Sequence, residues 1–570
     1  MGIKRYVANA DNTIVNAYQP DLEDRGTGSN AGEADIMEVF SIYGRATTSS
    51  AELSRALIKF PVTDIETDRT NGVLPASGSV SFYLRLHSAA SSKTVPTDFK
   101  MSILTVSQSW QEGFGLDLEG YKDKTNGNIG SNWMSASKTT YWTDNNGTLL
   151  AGGSYHTGSS DTETFLLTQS FSNGLEDIEV DVTPVIEQWI AGTYDNYGLG
   201  IHLSESYEAY SSGSDDLVTA RMPGNLALDA YDSTQSVIYN PSGSTISYYT
   251  KRFFAKGTQY FFKRPVIEAR WNDIRRDERA TFKFSSSLAP AANNLNTIYF
   301  YNYVDGQLTD IPTLGADKRI YVSIYSGSTG GFYGNQGGGD GDDLAPSNYP
   351  ASGSTGSIQI LSPDNAGHVS SNCKTVVTGG IVSTGVYSAS FAFTGSELLA
   401  TMYDVWFTGS HTIFAAHTAD TQYFTGSIKP SMQRGSQTAI RPTYYLNITN
   451  LQPKYRKTET ARFNLYVRDK NWKPTIYTVA NESVEPTIIY SASYKVFRTL
   501  DAYDAVPYGT GSELHTGLSY GVSGNYFDFD MNLLEPGYEY AFKFTFYDNS
   551  VKSWIEQDKV FKFRVEDYEY

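Results

Sequence analysis

The 570-residue sequence has one cysteine, Cys373, so no disulfide can form within the chain. Rigidity must come from packing, ion pairing or assembly. The lone thiol reads as a small half-buried side chain, because a nucleophilic role needs a basic neighbour to stabilise the thiolate. No run approaches the ~18 apolar residues of a membrane-spanning helix. The opening Met1-Gly-Ile-Lys-Arg-Tyr6 runs into polar Asn9, Asp11 and Asn12 without the apolar core of a secretory signal, and position 6 is Tyr where a myristoylation signal has Ser or Thr. These features predict synthesis in a cytoplasm, with use there or release by lysis. Basic residues are also short. Lys and Arg total 44 against 62 Asp and Glu, a net charge of −18, which argues against nucleic acid as the main ligand because phosphate neutralisation needs a basic surplus.

Catalytic patterns are missing too. The seven histidines are scattered, and the closest pair, His411 and His417, matches no zinc or His-Glu-x-x-His spacing. There is no Gly-x-Ser-x-Gly elbow, no phosphate-binding loop, no dinucleotide fingerprint and no 20–30-residue β-helix repeat. The expectation is a protein with no catalytic residues, no cofactor and no metal centre. The one weak metal candidate is the acidic run Gly337-Gly-Gly-Asp-Gly-Asp-Asp343, where Asp340, Asp342 and Asp343 cluster oxygens without the ligand spacing of an EF-hand.

What the sequence does contain is aromatic and β-branched. It has 42 Tyr and 29 Phe, residue types that fit a pleated, half-buried surface. Three Phe-Thr-Gly-Ser tetrapeptides begin at Phe393, Phe407 and Phe424, and each is read as the turn after a short strand. Ser79-Val-Ser-Phe-Tyr-Leu-Arg-Leu86 alternates apolar and polar positions, as does Ile178-Glu-Val-Asp-Val182. The period then changes to that of a helix through Val182, Val185, Ile186, Trp189 and Ile190, with Thr183 as N-cap, Pro184 in the first turn and Gly192 as the stop. Its apolar stripe is expected to close one end of a sandwich, with Trp189 in the core.

Three regions are predicted. The first spans residues 1–235. The second, 236–448, opens on aromatic strands and carries a Gly/Ser-rich loop at 326–356. Its Lys263, Arg264, Arg275, Arg276 and Arg279 stand among Asp273, Asp277 and Glu278, and this mixed-sign face is the expected place of assembly contacts. The third region, 449–570, alternates at Phe463, Leu465 and Val467, at Phe542, Phe544 and Phe546, and at Phe561, Phe563 and Val565. The fold class is thus mainly β, a series of antiparallel sandwiches with one short helix.

Three resemblances follow from motifs. Leu53-Ser-Arg-Ala-Leu-Ile-Lys-Phe60, the 79–86 strand, Ser109-Trp-Gln-Glu112 with Asn132-Trp133, and the helix with its following Asn196-Tyr-Gly-Leu-Gly-Ile-His-Leu203 resemble, in order, a DNRLRE-type jelly-roll module, although the tetrad behind that name is degenerate. Such modules are similar to carbohydrate-binding and stalk-like domains, which makes Trp110, Trp133, Tyr141 and Trp142 candidate glycan contacts. Leu534-Glu-Pro-Gly-Tyr-Glu-Tyr540 resembles the tyrosine corner of fibronectin-III-like sandwiches, where the Tyr hydroxyl bonds back to the chain. Residues 253–271, 463–478 and 508–530 resemble virion structural proteins of T4-like marine tailed phages. That resemblance implies a non-enzymatic neck, tail, baseplate or decoration protein, found in the virion and docked onto a symmetric assembly. Its expected partners are other virion proteins and copies of itself, with no nucleic acid and no membrane. The alternative is a carbohydrate-binding or host-attachment protein.

Overall fold

The computed structural model describes residues 2–20, 25–43, 51–91, 95–116, 119–123, 125, 130–144, 146–156, 166–212, 237–283, 294–314, 319–327, 359–361, 376–394, 401–408, 421–428, 443–471 and 486–567. Two compact units emerge, Gly2–Asn272 and Asp273–Tyr570. The chain is mainly β, built of antiparallel sheets in the manner of serial sandwiches. No described helix is long and apolar enough to cross a membrane.

In the first unit a four-stranded sheet, ordered Ile3–Val7, Val266–Trp271, Val80–Leu86, Ile178–Asp181, faces a seven-stranded sheet. The larger sheet runs Tyr248–Phe254, Ile36–Ile42, Glu52–Lys59, Leu199–Leu203, Phe99–Thr105, Leu167–Phe171, with Ala10–Val15 also paired to Glu52–Lys59. Val80, Phe82, Leu84 and Leu86 all point inward, as the alternation predicts. Glu52–Lys59 is buried on both faces. Ala56 and Ile58 enter the core between the sheets, while Leu53 and Leu57 enter a second core on the outer face.

The domain boundary expected at 235 lies instead at 272. Tyr248–Phe254 and Val266–Trp271 complete the two sheets of the first unit, the latter inserted between Ile3–Val7 and Val80–Leu86. Strand alternation states which face of a strand is buried but not which sheet it joins, so these strands could not be assigned from periodicity.

Two helices close one end rather than one. Helix α2, Thr183–Ile190, buries Val185, Ile186 and Trp189 and ends at Gly192 with φ +67°. Its N-cap is Val182 rather than Thr183. The Asp181 carboxylate accepts the Thr183 N–H at 2.8 Å, and the Thr183 hydroxyl accepts from the Phe82 N–H at 2.8 Å, tying the helix to the sheet. Helix α1, Val62–Thr70, was not anticipated because only Val62 and Ile65 are apolar on it. A two-pronged Arg69–Glu187 pair, 2.6 and 2.7 Å, joins the helices.

The second unit begins with a seven-stranded sheet ordered Leu295–Tyr301, Val386–Thr394, Val376–Ser383, Ile320–Gly327, Thr401–Thr408, Thr421–Ile428, with Gln359–Leu361 beside Val386–Thr394. It curls into a half-barrel. Phe300 on the first strand lies 5.7 Å from Trp406 and 5.5 Å from Phe424 on the last two. The two layers expected here are therefore the two ends of one sheet. The Phe424 tetrapeptide is not a turn, since it runs inside Thr421–Ile428.

The C-terminal part is a sandwich of two sheets. One sheet is ordered Tyr444–Ile448, Thr460–Asp469, Gly524–Asp530, Ser519–Gly521. The other is ordered Lys454–Arg456, Phe561–Glu566, Glu539–Asp548, Ala492–Arg498, Asp504–Val506, with Ser553–Glu556 paired to Glu539–Asp548. The Tyr444–Ile448 strand precedes the boundary expected at 449 and pairs with Thr460–Asp469. One pairing, Lys454–Arg456 with Phe561–Glu566, is parallel. Tyr494, Phe527, Phe542 and Phe563 follow one another through the core, with Phe463 against Phe542, at centroid distances of 4.4–5.1 Å in stacked, tilted and edge-to-face contacts. Each such pair contributes ~0.5–1.5 kcal/mol beyond burial. Tyr540 is fully buried and donates to Glu535 O at 2.8 Å, the corner that the Leu534–Tyr540 motif resembles. Tyr540→Phe is expected to lower the stability of this sandwich by ~1 kcal/mol, measured as a lower denaturant midpoint at unchanged slope.

Candidate functional site

The four aromatic candidates do not form a ligand platform. Trp133 and Trp142 have no exposed surface and pack with Ile14, Leu53, Leu57 and Val106 in the outer core of the first unit. The Trp142 indole N–H donates to Asn132 O at 2.8 Å. Trp110 packs on the same core and donates to Tyr197 O at 2.7 Å. Tyr141 is half-buried on the short strand Thr140–Tyr141, its carbonyl accepting from Gln108 at 2.8 Å. The physical reason is the sheet's outer face. Leu53 and Leu57 would be exposed there, and the indole-bearing loops cover them.

Beneath the indoles lies a buried charge. Arg55 donates to both oxygens of Glu208, at 3.0 and 2.8 Å, and to Gly152 O at 3.0 Å. Its guanidinium sits 5.6 Å from the Trp133 ring. His202 is beside this pair, with Nδ1 2.7 Å from Leu203 O and 3.6 Å from Glu208. Burial, reinforced by Arg55, holds the His202 imidazole down at about 4. On the four-stranded sheet Glu268 is fully buried between Arg5, Arg85 and Arg270 at 2.7, 2.9 and 2.7 Å. Burial alone would raise its carboxyl, but the three guanidiniums overrule it and hold it far below the usual range.

The basic candidates divide in two. Lys263 and Arg264 sit in the first unit at a single helical turn, Phe261–Lys263, both half-buried, with Arg264 donating back to Thr258 O at 3.2 Å. Arg275, Arg276 and Arg279 form an internal joint of the second unit. The chain here lies alongside the short edge strand Ser519–Gly521: Tyr520 N donates to Arg275 O and Asp277 N to Tyr520 O, both at 3.0 Å. The Arg275 guanidinium reaches Ser383 of the half-barrel at 3.0 Å. Tyr301 of the half-barrel and Tyr526 of the sandwich share a hydroxyl–hydroxyl bond at 3.0 Å. Of these arginines, Arg276 is exposed.

Arg279 is buried and anchors the joint. It donates to Asp404 from Nη2 at 2.6 Å and from Nε at 3.0 Å, and to Asp277 and Tyr299 O, both at 2.6 Å. Trp406 Nε1 donates to the same Asp404 at 2.7 Å. Burial pushes the Asp277 carboxyl up to about 6, with Arg279 pulling the other way. Gly426 stands directly across from Asp404, and a Cβ there would lie 2.5 Å from Asp404 Oδ1 and 2.8 Å from Arg279 Nε. The glycine of the third tetrapeptide thus makes room for an ion pair. Arg279 was expected at an outer contact; its burial depends on Asp404, 125 residues away, which no local pattern reveals.

Asp340, Asp342 and Asp343 lie outside the described residues, as does Cys373. Among the described residues no group of three metal-ligating side chains converges. Asp11 lies beside Glu112 of the Trp110 loop. Asp11 N donates to Glu112 at 2.7 Å, Lys256 N donates to Asp11 Oδ2 at 2.5 Å, and the Lys256 ammonium is 3.1 Å from Glu112. Asp11 Oδ1 is buried without a hydrogen-bond partner. A cavity that the sequence did not signal opens at one end of the C-terminal sandwich, where three separated segments meet. Compared with known proteins, the chain matches no family model and no curated sequence.

Two outcomes are expected. Asp404→Ala leaves the Arg279 charge half-compensated in the core and should cost ~3–5 kcal/mol, with Gly426→Ala also destabilising; calorimetry of the purified chain measures both. Burial pushes the Asp11 carboxyl up to about 7, against ~3.9 unfolded. The folded state then holds this proton more tightly, so its contribution is full below pH ~4 and is lost as pH rises through about 7. Asp11→Asn should flatten the fall of stability between pH 4 and 7, read from denaturation midpoints across that range.

Proposed function

We propose that this chain is a non-enzymatic structural component of a tailed-phage virion, at the neck, tail, baseplate or surface, docking onto a symmetric assembly. The supporting observation is where the chain spends its buried ionisable groups. Arg55–Glu208 and Arg279–Asp404 tie strands to segments distant in sequence, and Arg5/Arg85/Arg270–Glu268 clamps three neighbouring strands of one sheet. In a chain that cannot make an internal disulfide, such pairs fix strand and layer geometry without covalent links, which suits a part of a particle. The phage-like stretches at 253–271, 463–478 and 508–530 and the jelly-roll motifs of the first unit support the same reading. Its partners are then neighbouring virion proteins and further copies of itself.

The alternative, host attachment through the aromatic loop of residues 109–142, loses support because Trp133 and Trp142 are fully buried and Trp110 is half-buried against the same core. The test is immunogold labelling and mass spectrometry of gradient-purified phage particles from the source lysate. The expected result is the intact chain at a fixed, symmetric position. Infectious particles that lack the chain would overturn the proposal.

A further inference from the structure

The C-terminal sandwich carries an open cavity of about 250 Å³ at its end, between the first residues of Tyr444–Ile448 on one sheet and the last of Glu539–Asp548 on the other. This is below the ~300–1,000 Å³ of sites for drug-sized ligands, so it admits one small ring rather than an extended chain. Phe546 is buried and forms the floor, meeting Tyr444 edge to face at 5.6 Å across the two sheets. Tyr490 forms a wall. It is 52% exposed, yet its ring is braced edge to face on Tyr520 at 5.6 Å. Tyr490 thus offers the cavity a large apolar ring face that is open to solvent and braced from behind by a second ring.

The rest of the lining decides the ligand class. Asp548, Asn549 and Gln557 stand at the cavity with the hydroxyls of Thr487 and Ser491, and no Lys, Arg or His lines it among the described residues. Phosphorylated or carboxylated ligands would meet no counter-charge there. The Asp548 carboxylate is fixed by Ser550, whose N–H and hydroxyl donate to it at 2.7 and 2.6 Å. The Gln557 amide is oriented by its own donation to Ile555 O at 3.0 Å. Carboxamides both donate and accept, and a carboxylate accepts from two hydroxyls at once. A pyranose presents one apolar C–H face and a rim of hydroxyls that both donate and accept. An aromatic wall beside a rim of carboxamide and carboxylate matches both halves of that ring.

We infer that this cavity is a binding subsite for one neutral sugar ring, with Tyr490 against its C–H face and Asp548, Asn549 and Gln557 on its hydroxyls. This goes beyond the virion reading and does not rest on it. Saturation-transfer NMR on the full chain, with glucose, galactose and N-acetylglucosamine and with choline as a separate arm, tests it. The expected result is transfer to the ring C–H protons of at least one sugar, with affinity falling ~10-fold or more in Tyr490→Ala and in Asn549→Ala. Both residues are exposed, so circular dichroism should report an unchanged fold, and Tyr303→Ala, on the exposed hairpin Tyr303–Val304, should bind as the parent does. No transfer to any sugar at millimolar concentration, transfer to choline only, or sugar binding unaltered by both variants would each overturn the assignment.

Discussion

A guanidinium cannot shed its charge when it is buried, and that constraint organises both units. Arg55, Arg270 and Arg279 are each nearly or fully buried, and each takes a carboxylate from a distant part of the chain, Glu208, Glu179 and Asp404 in turn. The partners arrive with geometry attached. Asp404 must also satisfy Trp406, which fixes the inward turn of the Thr401–Thr408 strand, and Gly426 must have no side chain for the pair to close. Burying ion pairs is an uncertain source of net stability, but removing one partner is costly. The pairs therefore act as conditions on the fold more than as its driving force. The drive comes from aromatic and aliphatic burial on alternating strand faces, most plainly in the rings packed around Phe542.

How much of this was legible depended on range. The inward face of Val80–Leu86, the helix at Thr183–Ile190 and the alternation at Phe463, Leu465 and Val467 are local patterns, and all were readable. The corner at Tyr540 was also readable, because motif and acceptor lie five residues apart. Helix α1 was not, since two apolar residues carry no period. The membership of Tyr248–Phe254 and Val266–Trp271 in the first unit was hidden as well, because alternation says nothing about the partner strand.

The candidate sites were less legible still. Indoles in a polar loop look the same whether they face solvent or cover a sheet; here the open outer face of Leu53 and Leu57 decides for burial. Arginines within a mixed-sign run look like an outer surface until Asp404 and Ser383 are placed beside them. The cavity at Tyr444, Tyr490 and Phe546 draws on segments about fifty residues apart, each unremarked by itself.

The strand order of the first unit has a consequence for synthesis. Ile3 pairs with Arg270 and Val7 with Val266, so the opening strand has no neighbour until the last one exists. At ~5–20 residues/s a ribosome takes on the order of 10–50 s to reach it. For that time the four-stranded layer lacks the member that joins Ile3–Val7 to Val80–Leu86, and the apolar faces awaiting it stand open to chaperones or to neighbouring nascent chains. The unit closes late and from its C-terminal side.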